Sequence, residues 1–155
     1  MMQLRVGYTR TVYRFLNCTV VLSFLVLSNS LFAQSLGKDV IVESLSGMPG
    51  DATRGKAIVL SRQTGLCILC HSGPFPEEKF QGNLAPDLAL SAARLSKEQL
   101  RARIVDASQF NPASIMPSYY RKDHFTRVAP QYAGKPILSP QEIEDVLEFL
   151  VSLKP

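Results

Sequence analysis

The sequence of 155 residues predicts an all-α fold with long, proline-rich loops. The clearest sign is an apolar stripe at helical spacing near the end of the chain, formed by Ile143, Val146, Leu147, Leu150 and Val151. Two segments begin with a serine followed three residues later by glutamine or glutamate, the pattern of a capping box at a helix start. No segment shows sustained two-residue alternation of apolar and polar residues, the pattern that predicts a half-buried strand.

The first 33 residues have the three-part pattern of a secretory signal peptide. Arg5, Arg10 and Arg14 precede an apolar run at 19–27, and small and polar residues follow as far as Ala33. This run is shorter than the roughly 20 apolar residues that a membrane-spanning helix needs. We therefore predict cleavage near Ala33, which also removes Cys18. An uncleaved N-terminal anchor is the alternative.

The charge balance gives no support to a nucleic-acid partner. The chain has 17 basic and 13 acidic residues, and three of the basic ones are the arginines of the predicted signal peptide. Their removal leaves 14 basic and 13 acidic residues, a net charge of +1. A nucleic-acid-binding protein would carry a basic stripe, which this balance does not supply.

The remaining chain is predicted to form an extended arm at 34–50 and one domain at 51–155. A first helix, capped by Asp51 or Thr53, should run to about Arg62. Its buried face would carry Ala57, Ile58 and Leu60 or Ser61.

Two further helices are predicted from their capping boxes. Ser96 and Gln99 begin the first, which presents Leu100, Ile104 and Ala107 on one face. Ser139 and Glu142 begin the last, with Pro140 at the first helical position. The nearby acidic residues are interpreted as solvated charges rather than as a catalytic acid and base, and no hydrolase or transferase site is predicted; these residues are Asp106, Glu142, Glu144 and Asp145.

The motif Cys67-Ile68-Leu69-Cys70-His71 carries the most chemical information. Its C-x-x-C-H spacing allows two thiols to join the vinyl groups of one haem while the imidazole binds the iron. A zinc site would need two more ligands at recognisable spacing, and the chain offers only Cys18 and His124 elsewhere. A thioredoxin-like redox pair would follow a strand, whereas the residues before Cys67 are predicted to be helical. The motif therefore predicts one covalently attached haem c, and since haem c is attached outside the cytoplasmic membrane in bacteria, it predicts a periplasmic protein.

Met116 is the best candidate for the second axial ligand of the iron. It lies well beyond His71, before the last helix, and Pro117 restricts the backbone beside it. Met48 in the predicted arm and His124 in a polar stretch are the weaker alternatives. Histidine and methionine ligation leaves no open position on the iron and favours Fe(II), which is typical of an electron carrier.

The chain resembles the class I cytochromes c, and within them the SoxX family of monohaem subunits of SoxAX thiosulfate-oxidising complexes. The motifs that carry the second resemblance follow in order along the chain: GNLAPDL at 82–88, RIVD at 103–106, NP at 111–112, IMPSYY at 115–120, YAGKPIL at 132–138 and QEIEDV at 141–146.

This resemblance implies a class I cytochrome c fold, in which the first and last helices cross with Gly55 against Phe149. It also implies that the carbonyl of Pro86 accepts the Nδ1 hydrogen of His71, and that Met116 is the second ligand. The site residues expected are thus Cys67 and Cys70 as thioethers, His71 and Met116 on the iron, and Pro86 as support.

The resemblance further implies an electron-transfer subunit that is not an enzyme alone. Its partner would be a SoxA-type cytochrome, and together they would serve the SoxYZ carrier, on which thiosulfate is joined to a cysteine. The electrons would pass to a soluble cytochrome c. Tyr119 and Tyr120 could belong to the partner surface or to the core, and a free-standing diffusible cytochrome remains the alternative function.

Overall fold

The computed structural model describes residues 39–123 and 127–154. These residues form four α-helices, α1 (Ala52–Leu60), α2 (Leu88–Arg94), α3 (Lys97–Asp106) and α4 (Pro140–Ser152). Short 3₁₀ turns lie at Cys67–Leu69, Ala107–Gln109 and Pro130–Tyr132, and no strand occurs in the described ranges. The all-α prediction is confirmed. The predicted signal peptide, Cys18 and His124 lie outside the described residues.

The predicted helix starts agree with the structure. Asp51 caps α1 by accepting a hydrogen bond from the backbone N–H of Arg54. The capping boxes of Ser96 with Gln99 and of Ser139 with Glu142 are both complete, and Pro140 begins α4. Each box satisfies backbone N–H groups that the helix itself leaves without an acceptor.

Helix α2 was not among the predicted helices. It has seven residues, too few to display a clear apolar period. Its start depends on Asp87, whose carboxylate accepts hydrogen bonds from the backbone N–H groups of Ala89 and Leu90. An aspartate followed by leucine and alanine was the available signal for this helix.

Helices α1 and α4 pack against each other at Gly55. A Cβ atom on Gly55 would lie 2.0 Å from the carbonyl oxygen of Asp145 and 2.8 Å from Cβ of Phe149. Only a glycine permits this approach, and the predicted contact between Gly55 and Phe149 is confirmed. The buried face of α1 agrees with the prediction only in part: Ile58 and Leu60 pack against the core, but Gly55 and Val59 are the buried residues and Ala57 is exposed.

The described part of the predicted arm, residues 39–50, has no regular secondary structure and lies on α3 and α4. The backbone N–H of Ile41 donates to the carbonyl of Glu98 at 3.1 Å, and that of Leu45 donates to the Glu144 carboxylate at 3.0 Å. These bonds make the segment part of the domain surface.

Three acidic residues expected to be solvated are buried instead. Asp106, Glu144 and Asp145 each expose 2% of their surface. The free-energy cost of desolvating each carboxylate is offset because each is paired with an arginine and accepts further hydrogen bonds. Periodicity alone could not reveal this, since the arginine partners lie far away in the sequence. In the described part of the chain, no helix is long and apolar enough to cross a membrane.

Candidate functional site

The C-x-x-C-H motif begins directly after a strained residue. Leu66 has φ of 61°, a left-handed conformation that is rare outside glycine. Its backbone N–H is held by the carbonyl of Ser61 at 2.9 Å. The 3₁₀ turn that follows brings the N–H groups of Cys70 and His71 back to the carbonyl of Cys67, at 3.1 and 2.9 Å. The turn therefore gathers both cysteines and the histidine in one compact unit.

Cys67 and Cys70 form no disulfide, and each is half-buried. Burial raises the pKa of the Cys67 thiol to about 11. Ile68 between them is fully buried and belongs to the core, while Leu69 is exposed. The buried side chain of Ile68 therefore attaches the turn to the core of the domain.

Residues 82–88 run alongside the motif and form backbone hydrogen bonds with it. The N–H groups of Gly82 and Ala85 donate to the carbonyls of Ile68 and Cys70, at 2.9 and 3.0 Å. A Cβ atom on Gly82 would lie 2.3 Å from the carbonyl oxygen of Leu69, so the two segments could not approach this closely with any other residue.

His71 is oriented by the carbonyl group of Pro86. Its Nδ1 atom lies 2.6 Å from that oxygen. A carbonyl oxygen only accepts, so Nδ1 carries the hydrogen and Nε2 keeps the electron pair that can bind a metal. Pro86 is itself fixed because the next residue, Asp87, caps α2 and accepts a hydrogen bond from Ser72 at 3.0 Å.

Met116 lies in a loop that returns to α3 and to the motif. The residue is half-buried and packs against the core. Beyond it, the N–H of Tyr119 donates to the carbonyl of Ile104 at 3.1 Å, and the Tyr119 hydroxyl donates to the carbonyl of Gly65 at 2.6 Å. Tyr119 is 4% exposed, so of the two roles considered for it, core packing is the one the structure supports.

The donor set fits haem c better than zinc. The motif offers two thiols that form no disulfide and an imidazole with one nitrogen already satisfied, which are the groups that hold a covalently attached haem. Across residues 39–123 and 127–154, no group of three or more His, Cys, Asp or Glu side chains is arranged to hold a metal ion.

Comparisons with known proteins define the class first. The family described as cytochrome c matches residues 52–154, and the chain belongs to this family. It carries one covalently bound haem c, as predicted.

A solved structure then indicates the type of cytochrome c. The chain is similar to one described as the crystal structure of SoxXA from P. pantotrophus, with 34% sequence identity and a TM-score of 0.70 over 76% of this chain and 92% of that one. The chain is thus a SoxX-type cytochrome, as its motifs predicted. No curated protein matches the chain.

Sequence reasoning missed two connections within this site. One is the capping of α2 by Asp87, which fixes the position of Pro86. The other is the hydrogen bond from Tyr119 to Gly65, which joins the Met116 loop to the segment before Cys67. The residues were visible in the GNLAPDL and IMPSYY motifs, but their partners become apparent only when distant segments are brought together.

Proposed function

We propose that this chain is the electron-transfer subunit of a periplasmic sulfur-oxidation complex of the SoxAX type. The observation that carries the proposal is the similarity to SoxXA over 92% of the compared chain, at 34% identity. The cytochrome c family match at 52–154 covers the haem motif, the Met116 loop and the last helix together. The partner is a SoxA-type cytochrome.

The proposed site uses five residues. Cys67 and Cys70 would form the thioether bonds, His71 and Met116 would bind the iron, and the Pro86 carbonyl orients His71. The 2.6 Å contact between Pro86 and His71 supports this assignment because it leaves Nε2 available to the iron. The haem supplies a one-electron Fe(III)/Fe(II) couple.

The chemistry that this subunit serves has a defined electron balance. Joining thiosulfate to a cysteine thiol of the SoxYZ carrier forms one S–S bond and releases the thiol proton and two electrons. The present chain accepts these electrons one at a time and passes each to a soluble cytochrome c. Its residues hold the iron ligands in place and perform no bond-making step on the sulfur compounds.

The proposed location is the periplasm, reached by means of a signal peptide at 1–33. The mature chain would then consist of the arm at 34–50 and the cytochrome domain at 51–155. The hydrogen bonds from Ile41 and Leu45 to the helices support an arm that stays with the domain after cleavage.

The test is the native mass and haem content of tagged protein isolated from thiosulfate-grown cells of its source organism. A stable species that contains a second, larger haem protein is the expected result. A monomer with one haem, obtained after gentle lysis, would contradict the complex and favour a diffusible cytochrome.

A matched variant separates assembly from haem attachment. Cys70→Ala removes one thioether and leaves the fold-forming residue Ile68 in place. If the tag on this variant still recovers the larger haem protein, assembly depends on the polypeptide surface. If the tagged Cys70→Ala variant recovers no larger haem protein while the tagged unmodified chain does, assembly requires both thioether bonds to the haem.

A further inference from the structure

The carboxylate of Asp106 is the meeting point of two segments that are separate in the sequence. Asp106 ends α3, and its side chain is 2% exposed. It accepts hydrogen bonds from the backbone N–H of Ser108 at 3.1 Å, the Ser108 hydroxyl at 2.5 Å and the Gln109 amide at 2.9 Å. These partners belong to the turn that directly follows the helix.

The other partners of Asp106 come from the loop that carries Met116. The Ser118 hydroxyl donates to the carboxylate at 2.6 Å, and the Arg121 guanidinium forms a short ion pair with it. Between these two residues, the N–H groups of Tyr119 and Tyr120 donate to backbone carbonyls of α3, at 3.1 and 3.4 Å. The chain after Met116 is therefore held at the end of α3 by two backbone hydrogen bonds and by the side chain of Asp106.

We propose that Asp106 is the positioning residue that keeps Met116 on the iron, an inference that rests on the proposed ligand role of Met116. Thioether sulfur is a soft ligand that binds Fe(II) more readily than Fe(III). In the ferric state the bond would depend more strongly on how firmly the loop is held, and Asp106 adds its side-chain bonds to the backbone bonds of Tyr119 and Tyr120. Loss of that attachment should release Met116 mainly from ferric iron.

The test uses the haem-loaded protein in its ferric state and two spectroscopic readouts. One is the far-red absorption band that reports a thioether on ferric haem, and the other is the rate at which added imidazole displaces the sulfur. For Asp106→Asn we expect the band to weaken or disappear, and imidazole binding to accelerate by about tenfold or more. Unchanged band and rate would overturn the proposal.

Two controls distinguish positioning from general loss of stability. Asp123→Asn removes an exposed carboxylate that also pairs with Arg121, and should leave both readouts unchanged. Asp145→Asn removes an equally buried carboxylate on α4, far along the chain from the Met116 loop. If Asp145→Asn weakened the band as much as Asp106→Asn does, positioning by Asp106 would be contradicted.

Two further variants keep the outcome decisive. Met116→Leu must abolish the band seen in the unmodified protein; if that band is absent or survives in Met116→Leu, the ligand assignment fails and the role of Asp106 fails with it. If Asp106→Asn does not fold, Ser118→Ala replaces it, since this change removes one donor and leaves the carboxylate with its other partners. An unchanged imidazole rate in Ser118→Ala would then overturn the proposal.

Discussion

Glu144 shows how a buried charge on α4 stabilises the surrounding structure. Its carboxylate accepts two hydrogen bonds from the guanidinium of Arg101, at 2.8 and 2.9 Å, and one from the N–H of Leu45. Arg101 is 4% exposed and also donates to the carbonyls of Ile41 and Val42. The pair thus connects α3, α4 and residues 39–50, and its removal should loosen all three.

Replacement of Glu144 by glutamine should lower the free energy of unfolding by about 3 kcal/mol. The reason is that the buried guanidinium of Arg101 would keep its charge without the carboxylate that compensates it. Guanidinium chloride unfolding of the haem-loaded protein, followed by circular dichroism, measures the effect.

The matched control is Glu148→Gln, one turn further along α4. Glu148 pairs with Lys97 at 2.6 Å, but its side chain is 41% exposed. Such a surface pair contributes less than about 1 kcal/mol, so this variant should remain close to the unmodified protein. Equal losses in the two variants would contradict the importance of burial at Glu144.

At the scale of whole elements, two glycines set the distance between α4 and the chain that covers it. A Cβ atom on Gly50 would lie 2.0 Å from the carbonyl oxygen of Glu144, and one on Gly55 would lie equally close to that of Asp145. Both contacts are with backbone, which cannot rotate away as a side chain can. The packing of α1 and residues 39–50 on α4 therefore requires glycine, which has no side chain, at positions 50 and 55.

Gly55→Ala should destabilise the protein by about 1–3 kcal/mol, because the added methyl group would force α1 and α4 apart. This outcome is opposite to the gain of about 1 kcal/mol that alanine gives over glycine at an unconstrained helix position. Thermal unfolding of the haem-loaded protein measures the sign. Thr53→Ala, at an exposed position of the same helix, should change stability by less than about 0.5 kcal/mol. A stabilised Gly55→Ala variant would show that the helices can move apart at no cost.

For the molecule as a whole, the buried carboxylates couple folding to pH. Hydrogen bonds from Arg54 are the main cause that lowers the pKa of Asp145. Burial opposes ionisation of Glu144 and Asp106, but their hydrogen-bonded partners outweigh it and hold the pKa of both below the ordinary range. Since the unfolded chain would bind protons at the ordinary values of 3.8 for Asp and 4.5 for Glu, acid favours the unfolded state.

The stability of the haem-loaded protein should therefore be nearly constant from neutral pH to about pH 5 and fall steadily below it. Denaturant midpoints at a series of pH values measure this dependence. Asp145→Asn removes one of the three groups and should make the fall shallower. A midpoint that stayed level or rose as the pH dropped toward 3 would contradict the linkage of these carboxylates to folding.

The features that the sequence predicted are those encoded by neighbouring residues. The C-x-x-C-H motif, the capping boxes at Ser96 and Ser139 and the apolar stripe of the last helix are all contained within a few turns of chain. Local spacing determines such features, so they can be read before the fold is known. The all-α class and the haem followed from them, whereas the family was indicated by the resemblance of six motifs spread along the chain.

Only the tertiary structure decided which charged residues are buried and what holds the site in place. The partners of Glu144 and Asp106, the contact between Pro86 and His71, and the bond from Tyr119 to Gly65 all join residues from separate segments. An arginine compensates a buried carboxylate only if folding brings the two together, and no local pattern records that distance. The resemblance could suggest the Pro86 contact in advance, but the fold provides the hydrogen bonds that hold Pro86 and the Met116 loop in position.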